Sequence, residues 1–280
     1  MTVKTACVQC DVAFGDPGAN IERAVREISA LGAQGVRLAV FPEAFLTGYV
    51  VDDMEAAAKI ALPMVSHGSE VREHPAEDIV EACKKHKVHA VVGLISSEND
   101  NVYNTALLIE PNGRVRRYNK THLPFLGVDR FVTQGDEISV FETEIGVIGV
   151  AICWDLRIPE VIRVLALQGA EIVALPTNWP EGSEPSPGFV APTRAIENRV
   201  FVATANRIGT ENGTTFIGQS GIYDVFGNTM AKAGAGEETI VAEIDPAMAR
   251  QKRNVLRPGE YELAIFGSRR PELYGTITQE

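Results

Sequence analysis

A cysteine, a glutamate and a lysine, far apart in this chain, each stand at the end of a strand-like segment. Cys153 sits where the apolar run 145–152 breaks into the polar turn Cys153–Arg157, and a helix is expected to open at Ile158-Pro159-Glu160. A thiol at a strand end, facing a helix start, is where backbone dipoles can lower a thiol pKa and present the sulfur to a substrate. A free cysteine by itself is more often a small buried core residue, so the weight of Cys153 depends on its company. Glu43 follows Val40-Phe41-Pro42, and Lys120 follows the hairpin strand 115–119. Taken singly, a glutamate after proline caps the next element and a lysine ending a hairpin is solvated. Strand ends in α/β architectures, however, gather on one edge, where ligands sit. There a thiol nucleophile needs a base, and an acyl-transfer intermediate needs a cation for its oxyanion. Glu43 can take the thiol proton, and Lys120 can hold the negative oxygen.

The elements that must position these residues are read from periodicity. A first strand is expected over 4–9, followed by a turn at Asp16-Pro17-Gly18. A helix then opens with Asn20 as its N-cap, with Ile21, Ala24, Val25, Ile28 and Leu31 at helical spacing and Gly35 after its end. Next come a short strand over 37–41, a helix over 76–87, a strand over 88–95, and a hairpin over 103–120 turning at Pro111-Asn112-Gly113. The second half repeats this plan. Residues 31–43 line up with residues 165–177, keeping Leu, Gln, Gly and Pro at matching places. The strand 200–205 mirrors 88–95, and a hairpin at Phe226-Gly227-Asn228 mirrors the earlier one.

Short, nearly continuous apolar strands are buried on both faces. Two such sheets packed face to face with helices outside give an α/β, four-layer α-β-β-α sandwich of two similar halves. A single domain is expected over 1–245. Residues 246–280 read as a C-terminal helix and tail whose Tyr261, Leu263, Ile265, Phe266 and Tyr274 need a surface, expected from a partner subunit in a homodimer or higher homo-oligomer.

Composition narrows the function classes. A hydrophobic content of 45% in 280 residues supports a large core, and a net charge of -11 argues against nucleic acid as a partner. The cysteines Cys7, Cys10, Cys83 and Cys153 form neither a disulfide framework nor paired metal knuckles, and the CxxC spacing of Cys7 and Cys10 falls inside a strand. The N-terminus enters a strand with no signal-like apolar region, and no run reaches membrane-spanning length. A cytoplasmic protein with no membrane partner, no metal and no cofactor is expected.

Three motifs then carry a likeness: Val40-Phe41-Pro42-Glu43, Tyr118-Asn119-Lys120-Thr121-His122-Leu123, and the run from Val150 through Cys153-Trp154-Asp155-Leu156-Arg157 to Glu160. Arg194-Ala195-Ile196-Glu197-Asn198 supports them. With these, in order from Val3 to about Asp245, the chain resembles the nitrilase (carbon–nitrogen hydrolase) superfamily. The resemblance implies the four-layer sandwich, a two-fold-related dimer, and a Glu-Lys-Cys triad at Glu43, Lys120 and Cys153. It also implies that His122 is not the base. Many members carry a second glutamate after the lysine; here the acid in that stretch is Asp129, which either takes that role beside Lys120 or pairs with Arg130.

The implied reaction is hydrolysis of an amide or N-carbamoyl bond through a cysteine thioester. True nitrilases of the superfamily usually follow Cys-Trp with glutamate, whereas Asp155 stands here, so the amidase and carbamoylase branches are favoured and nitrile hydrolysis is the alternative. Trp154, Arg157, Asn178 and Trp179 are the expected substrate contacts. Arg157 has a second reading as a brace for the turn, and Trp179 as a packed corner. Glu197 and Arg199 are expected to form structural ion pairs, and the loop 181–188 is a candidate lid. A glutaminase-type cysteine enzyme would need a histidine after the nucleophile, and the last one is His122. A non-catalytic scaffold would be expected to lose a triad member, and a redox sensor would need a resolving thiol beside Cys153.

Overall fold

The computed structural model describes residues 2–279. In the first half the strands are β1 (Val3–Gln9), β2 (Leu38–Val40), β3 (Leu62–Pro63), β4 (Val65–His67), β5 (Glu70–Glu73), β6 (His89–Glu98), β7 (Asn101–Ile109) and β8 (Val115–Asn119). The helices α1 (Pro17–Ala33), α2 (Met54–Ile60) and α3 (Glu77–His86) connect them. In β1, Cys7 faces one core cluster while Ala6 and Val8 face another; Leu38 and Val40 of β2 likewise oppose Ala39. Apolar side chains on both faces dictate a sheet covered on both sides. Ala24, Ile28 and Leu31 of α1, with Ile79, Val80 and Cys83 of α3, supply the outer cover.

Helix α1 begins earlier than its apolar spacing suggests. Pro17 occupies the first turn, where its fixed φ suits a helix and its missing N–H costs nothing. The Asp16 carboxylate accepts from Ala19 N at 3.0 Å, so Asp16 is the cap. Asn20, expected as the cap, lies buried inside the helix and ties its amide to the Ala13 backbone instead.

The second half runs β9 (Val140–Thr143), β10 (Gly146–Val150), α4 (Pro159–Leu167), β11 (Ile172–Thr177), α5 (Ala191–Asn198), β12 (Phe201–Asn206), the small hairpin β13 (Thr210–Glu211) and β14 (Thr214–Thr215), then β15 (Gly221–Tyr223), β16 (Thr229–Lys232) and β17 (Glu238–Ile244). The repeat is visible in the registers. β1 and β2 pair in parallel, as do β10 and β11, with Leu38 and Ile172 at equivalent places. β2–β6 and β11–β12 extend each sheet in parallel before an antiparallel partner follows.

The sheets run β17-β1-β2-β6-β7-β8-β5-β4, with β3 beside β6, and β16-β15-β12-β11-β10-β9. They face one another, and α4 and α5 cover the second. The four-layer sandwich is therefore the fold. β17 crosses over: it pairs antiparallel with β1 along its length, from Val3↔Ile244 to Gln9↔Glu238. The second half thus completes the first sheet, which makes the halves inseparable.

After β17 come a single helical turn, α6 (Ala247–Arg250), and the hairpin β18 (Asn254–Arg257) and β19 (Tyr261–Leu263). Phe266 packs against the core, with the Arg163 guanidinium 5.0 Å and the Lys252 ammonium 5.5 Å from its ring. Tyr261 and Leu263 stay exposed. Among the described residues no helix is long and apolar enough to cross a membrane.

Candidate active site

Each of the three sequence-selected residues is held by its own backbone device. Glu43 lies in the turn after β2, and the next residue, Ala44, has a left-handed φ of 49°. Strand β6 presses against this turn at Gly93, where a Cβ would stand 2.5 Å from Ala44 N and 2.6 Å from Pro42 O. Only glycine permits that approach. Lys120 follows β8; its N–H donates to Asn104 O at 2.8 Å and its C=O accepts from Gly135 N at 2.9 Å.

Cys153 leaves β10 with φ of 46°, a left-handed conformation that costs a non-glycine residue about 1–2 kcal/mol. Asp155 holds the elbow against that strain. Its buried carboxylate accepts from Ile152 N at 2.9 Å, Tyr118 Oη at 2.7 Å and His122 N at 3.1 Å, with Thr121 Oγ1 at 3.2 Å. His122 Nδ1 also lies 3.0 Å from Asp155, so this histidine serves the elbow. Arg194 adds a brace from α5, donating to Leu156 O at 3.0 Å.

Lys120 and Glu43 are fully buried together, with Nζ 2.8 Å from Glu43 Oε1 and 2.5 Å from Asp129 Oδ2. Asp129 therefore sits beside Lys120 and not against Arg130, which donates to Gly127 O and Val51 O. Two residues complete the cluster that sequence reasoning missed. Tyr49 Oη donates to Asp129 Oδ2 at 2.8 Å. Asn104 Nδ2 donates to Glu43 Oε1 at 2.7 Å and to Asp129 Oδ1 at 2.8 Å. The signal for Asn104 was a polar residue just ahead of the apolar stretch 106–109; Tyr49 offered none.

The electrostatics follow from one ammonium among several acids. Burial works to lower the Lys120 pKa, but Asp129 and Glu43 overrule it and hold the ammonium charged, above its usual range. Burial raises the Glu43 carboxyl; Lys120 opposes this and Asp129 adds to it. The Cys153 thiol is pushed up to about 12, first by burial and then by Glu43, against Lys120, the Thr177 hydroxyl and the Asn178 backbone. This corrects the expectation of a dipole-lowered thiol. A 3₁₀ turn, Cys153–Arg157, intervenes before α4, so no long helix points its N-terminus at the sulfur. Cys153 at rest is therefore a thiol, and such a thiol needs a base before it can attack. Glu43 Oε2 is buried and without a partner among the described residues, and the Glu43 charge acts on the Cys153 thiol.

The remaining candidates separate. Asn178 is fully buried, its backbone faces the thiol, and neither of its amide atoms has a partner among the described residues. Trp179 is only 3% exposed, with its backbone held by Asn206 and Ile217, a packed corner. Trp154 is 38% exposed, with the Arg157 guanidinium 5.4 Å over its ring. Arg157 thus stacks on an indole at the surface, and the brace that its second reading called for comes from Arg194. Glu197 forms the expected kind of ion pair, with Arg194 at 2.8 Å, while Arg199 lies over Phe226 at 4.5 Å. Within the loop 181–188, Ser186 and Pro187 are buried, and Pro187 O accepts from Tyr223 Oη at 2.8 Å. That end of the loop is anchored.

Comparison with known proteins gives a consistent family. The pattern of the family described as Carbon-nitrogen hydrolase matches residues 4–254. A protein named nitrilase from Pyrococcus abyssi is 34% identical, over 97% of this chain and 99% of its own. A 2-oxoglutaramate amidase of Bacillus subtilis is 29% identical, over 96% and 98%. Among solved structures, an amidase from Nesterenkonia sp. superposes with a TM-score of 0.80 at 22% identity, covering 98% of this chain and 96% of that one.

Proposed function

Because the chain belongs to the carbon–nitrogen hydrolase family, we propose that it hydrolyses amides of small molecules in preference to nitriles, with Glu43, Lys120 and Cys153 as its catalytic residues. It is an enzyme that cleaves a non-peptide carbon–nitrogen bond through a cysteine acyl-enzyme. The observation that carries the assignment of roles is the asymmetry of Glu43. Oε1 is occupied by Lys120 and Asn104, while Oε2 is open.

In the first step Glu43 Oε2 takes the Cys153 proton as Sγ attacks the carbonyl carbon. The raised thiol pKa keeps the proton on sulfur until substrate arrives, and the raised Glu43 carboxyl makes that group a stronger acceptor for it, so the thiolate forms only as it is consumed. Lys120 and backbone N–H groups just after Cys153 stabilise the tetrahedral oxyanion. Glu43 then passes the proton to the leaving nitrogen, and ammonia or an amine departs from the thioester. A water gives its proton to Glu43 and its oxygen to the acyl carbon, and the thiol is restored. Asp129, whose oxygens accept from Lys120, Tyr49 and Asn104, holds Lys120 in place.

Asn178, whose backbone faces the thiol, keeps a side-chain donor and an acceptor without partners among the described residues, a complement to a carboxamide or ureido group. Trp154 and Arg157 form an exposed aromatic and cationic shelf next along the chain, suited to the outer part of the substrate. A homodimer covering the exposed Tyr261 and Leu263 of the tail completes the reading. The second reading, nitrile hydrolysis, is favoured by the Pyrococcus relative named nitrilase.

The test is ammonia release from a panel of primary amides, N-carbamoyl compounds and nitriles, beside Cys153→Ala, with mass analysis of trapped acyl adducts. Turnover of amides and an acyl mass on Cys153 are expected. Turnover of nitriles alone, or full activity in Cys153→Ala, would overturn the assignment.

A further inference from the structure

We infer that Asn104 is a positioning residue: one side-chain amide donates a hydrogen to each of two carboxylates, holding Glu43 and Asp129 around Lys120 and leaving one Glu43 oxygen open. The inference rests on the proposed roles of Glu43 and Cys153.

Asn104 lies in β7, opposite Ile95 of β6, and is 1% exposed. It touches three members of the cluster at once. Nδ2 is 2.7 Å from Glu43 Oε1 and 2.8 Å from Asp129 Oδ1, and its backbone oxygen accepts from Lys120 N at 2.8 Å. The amide orientation follows from chemistry, since the flipped group would aim the acceptor Oδ1 at two carboxylate acceptors. The consequence is an orphan: Oδ1 is buried without a partner among the described residues. Neighbouring Thr105 shows what a purely structural polar residue does here, since its hydroxyl bonds both Ser96 and Asn119. Asn104 leaves its oxygen unsatisfied to keep both hydrogens on the carboxylates.

Two carboxylates share a single ammonium in this site, and like charges this close resist joint ionisation. The two N–H groups of Asn104 supply the missing positive field without a second proton that could titrate. The charged or titratable groups facing Glu43 are Lys120, Asp129, Cys153 and Tyr49, so loss of the Asn104 donors falls directly on Glu43 ionisation.

The experiment follows alkylation of Cys153 by iodoacetamide in the full chain, by peptide mass mapping between about pH 5 and pH 9. Cys7, Cys10 and Cys83 are buried and report separately. The variants are Asn104→Leu and Asn104→Asp, the second nearly isosteric but lacking the two hydrogens, with circular dichroism to verify folding. In both, the acid limb of Cys153 alkylation is expected to rise by about one pH unit, a roughly tenfold slowing near pH 6, with the alkaline plateau kept. A folded Asn104→Asp protein that follows the wild-type limb would overturn the positioning role while leaving the Glu43–Cys153 pairing intact. A wild-type Cys153 that alkylates with no acid limb below the thiol's own titration would remove that pairing, and this inference with it.

Discussion

Two ion clusters, each built on a buried cation, meet in this molecule, and they differ in how completely their atoms are used. In one, Arg207 donates to Glu211 Oε2 at 2.6 Å and Asp11 Oδ1 at 2.8 Å, and its guanidinium lies 4.5 Å over the Phe216 ring. The other Glu211 oxygen accepts from Tyr49 N at 2.7 Å and Val50 N at 2.6 Å. This cluster is saturated. In the other, around Lys120, Glu43 Oε2 and Asn104 Oδ1 are orphaned and the neighbouring thiol is held protonated. A saturated cluster has nothing left to offer a ligand, so it fixes loops; an unsaturated one keeps atoms in reserve for chemistry. The two are joined at Tyr49, whose backbone rests on Glu211 and whose phenol holds Asp129.

The comparison can be broken most decisively at Cys153 and Glu43. Cys153→Ala and Glu43→Gln are each expected to lower kcat/KM by roughly 10³-fold or more, measured as ammonia release. Glu43→Gln relieves a crowded acid, so its melting temperature should stay level or rise. A large loss of stability there would mean that Glu43 is scaffold.

Arg207→Met should do the reverse. Removing one partner from a buried pair strands Glu211, at a cost of about 3–5 kcal/mol in denaturant unfolding. Activity per folded molecule should fall far less than in Cys153→Ala. If Arg207→Met unfolds at the wild-type denaturant concentration, saturation is no mark of a structural role.

His89 tests whether an orphaned atom is enough by itself. It is fully buried at the opposite end of the sheet, Nε2 has no partner among the described residues, and burial lowers its pKa to about 4. A depressed histidine is neutral in the folded state, so its contribution is intact above the unfolded pKa of about 6.5. Stability is then lost as pH falls toward 4, by about 1.4 kcal/mol per pH unit, reaching about 3 kcal/mol. His89→Leu should flatten that slope in urea titrations and leave turnover unchanged. Lost turnover would make it a second reactive site.

The smallest effect belongs to the surface stack. Trp154→Ala should raise KM by up to about tenfold with kcat preserved, and the exposed cation–π contact should contribute no more than about 1 kcal/mol to stability. An unchanged KM across the amide panel would exclude the shelf from substrate binding.

How much was legible follows the range of the forces. The central strands of both halves could be read because each carries apolar residues on two faces, a local pattern; β3, β4, β5 and β9 are short and largely uncovered, and went unread. The α1 cap was misplaced by reading apolar spacing ahead of Asp16-Pro17, although the stronger signal was present. β17 was invisible as the partner of β1, because pairing across the whole chain leaves no local mark.

The chain order alone determined which residue types could do chemistry: a thiol, a carboxylate and an ammonium, each at a strand end, in motifs carried by two repeated halves. Only the folded molecule decided what state they are in. The spacing around Cys153 suggested a thiol activated by a helix, whereas burial beside Glu43 keeps it protonated. Asp129 had two sequence partners, Lys120 and Arg130, and the turn after Leu126 settled it on Lys120. Tyr49 and Asn104 entered the site with no motif to announce them. Desolvation and hydrogen-bond partnership depend on which groups are brought within a few ångströms, and that depends on every element of the sandwich at once.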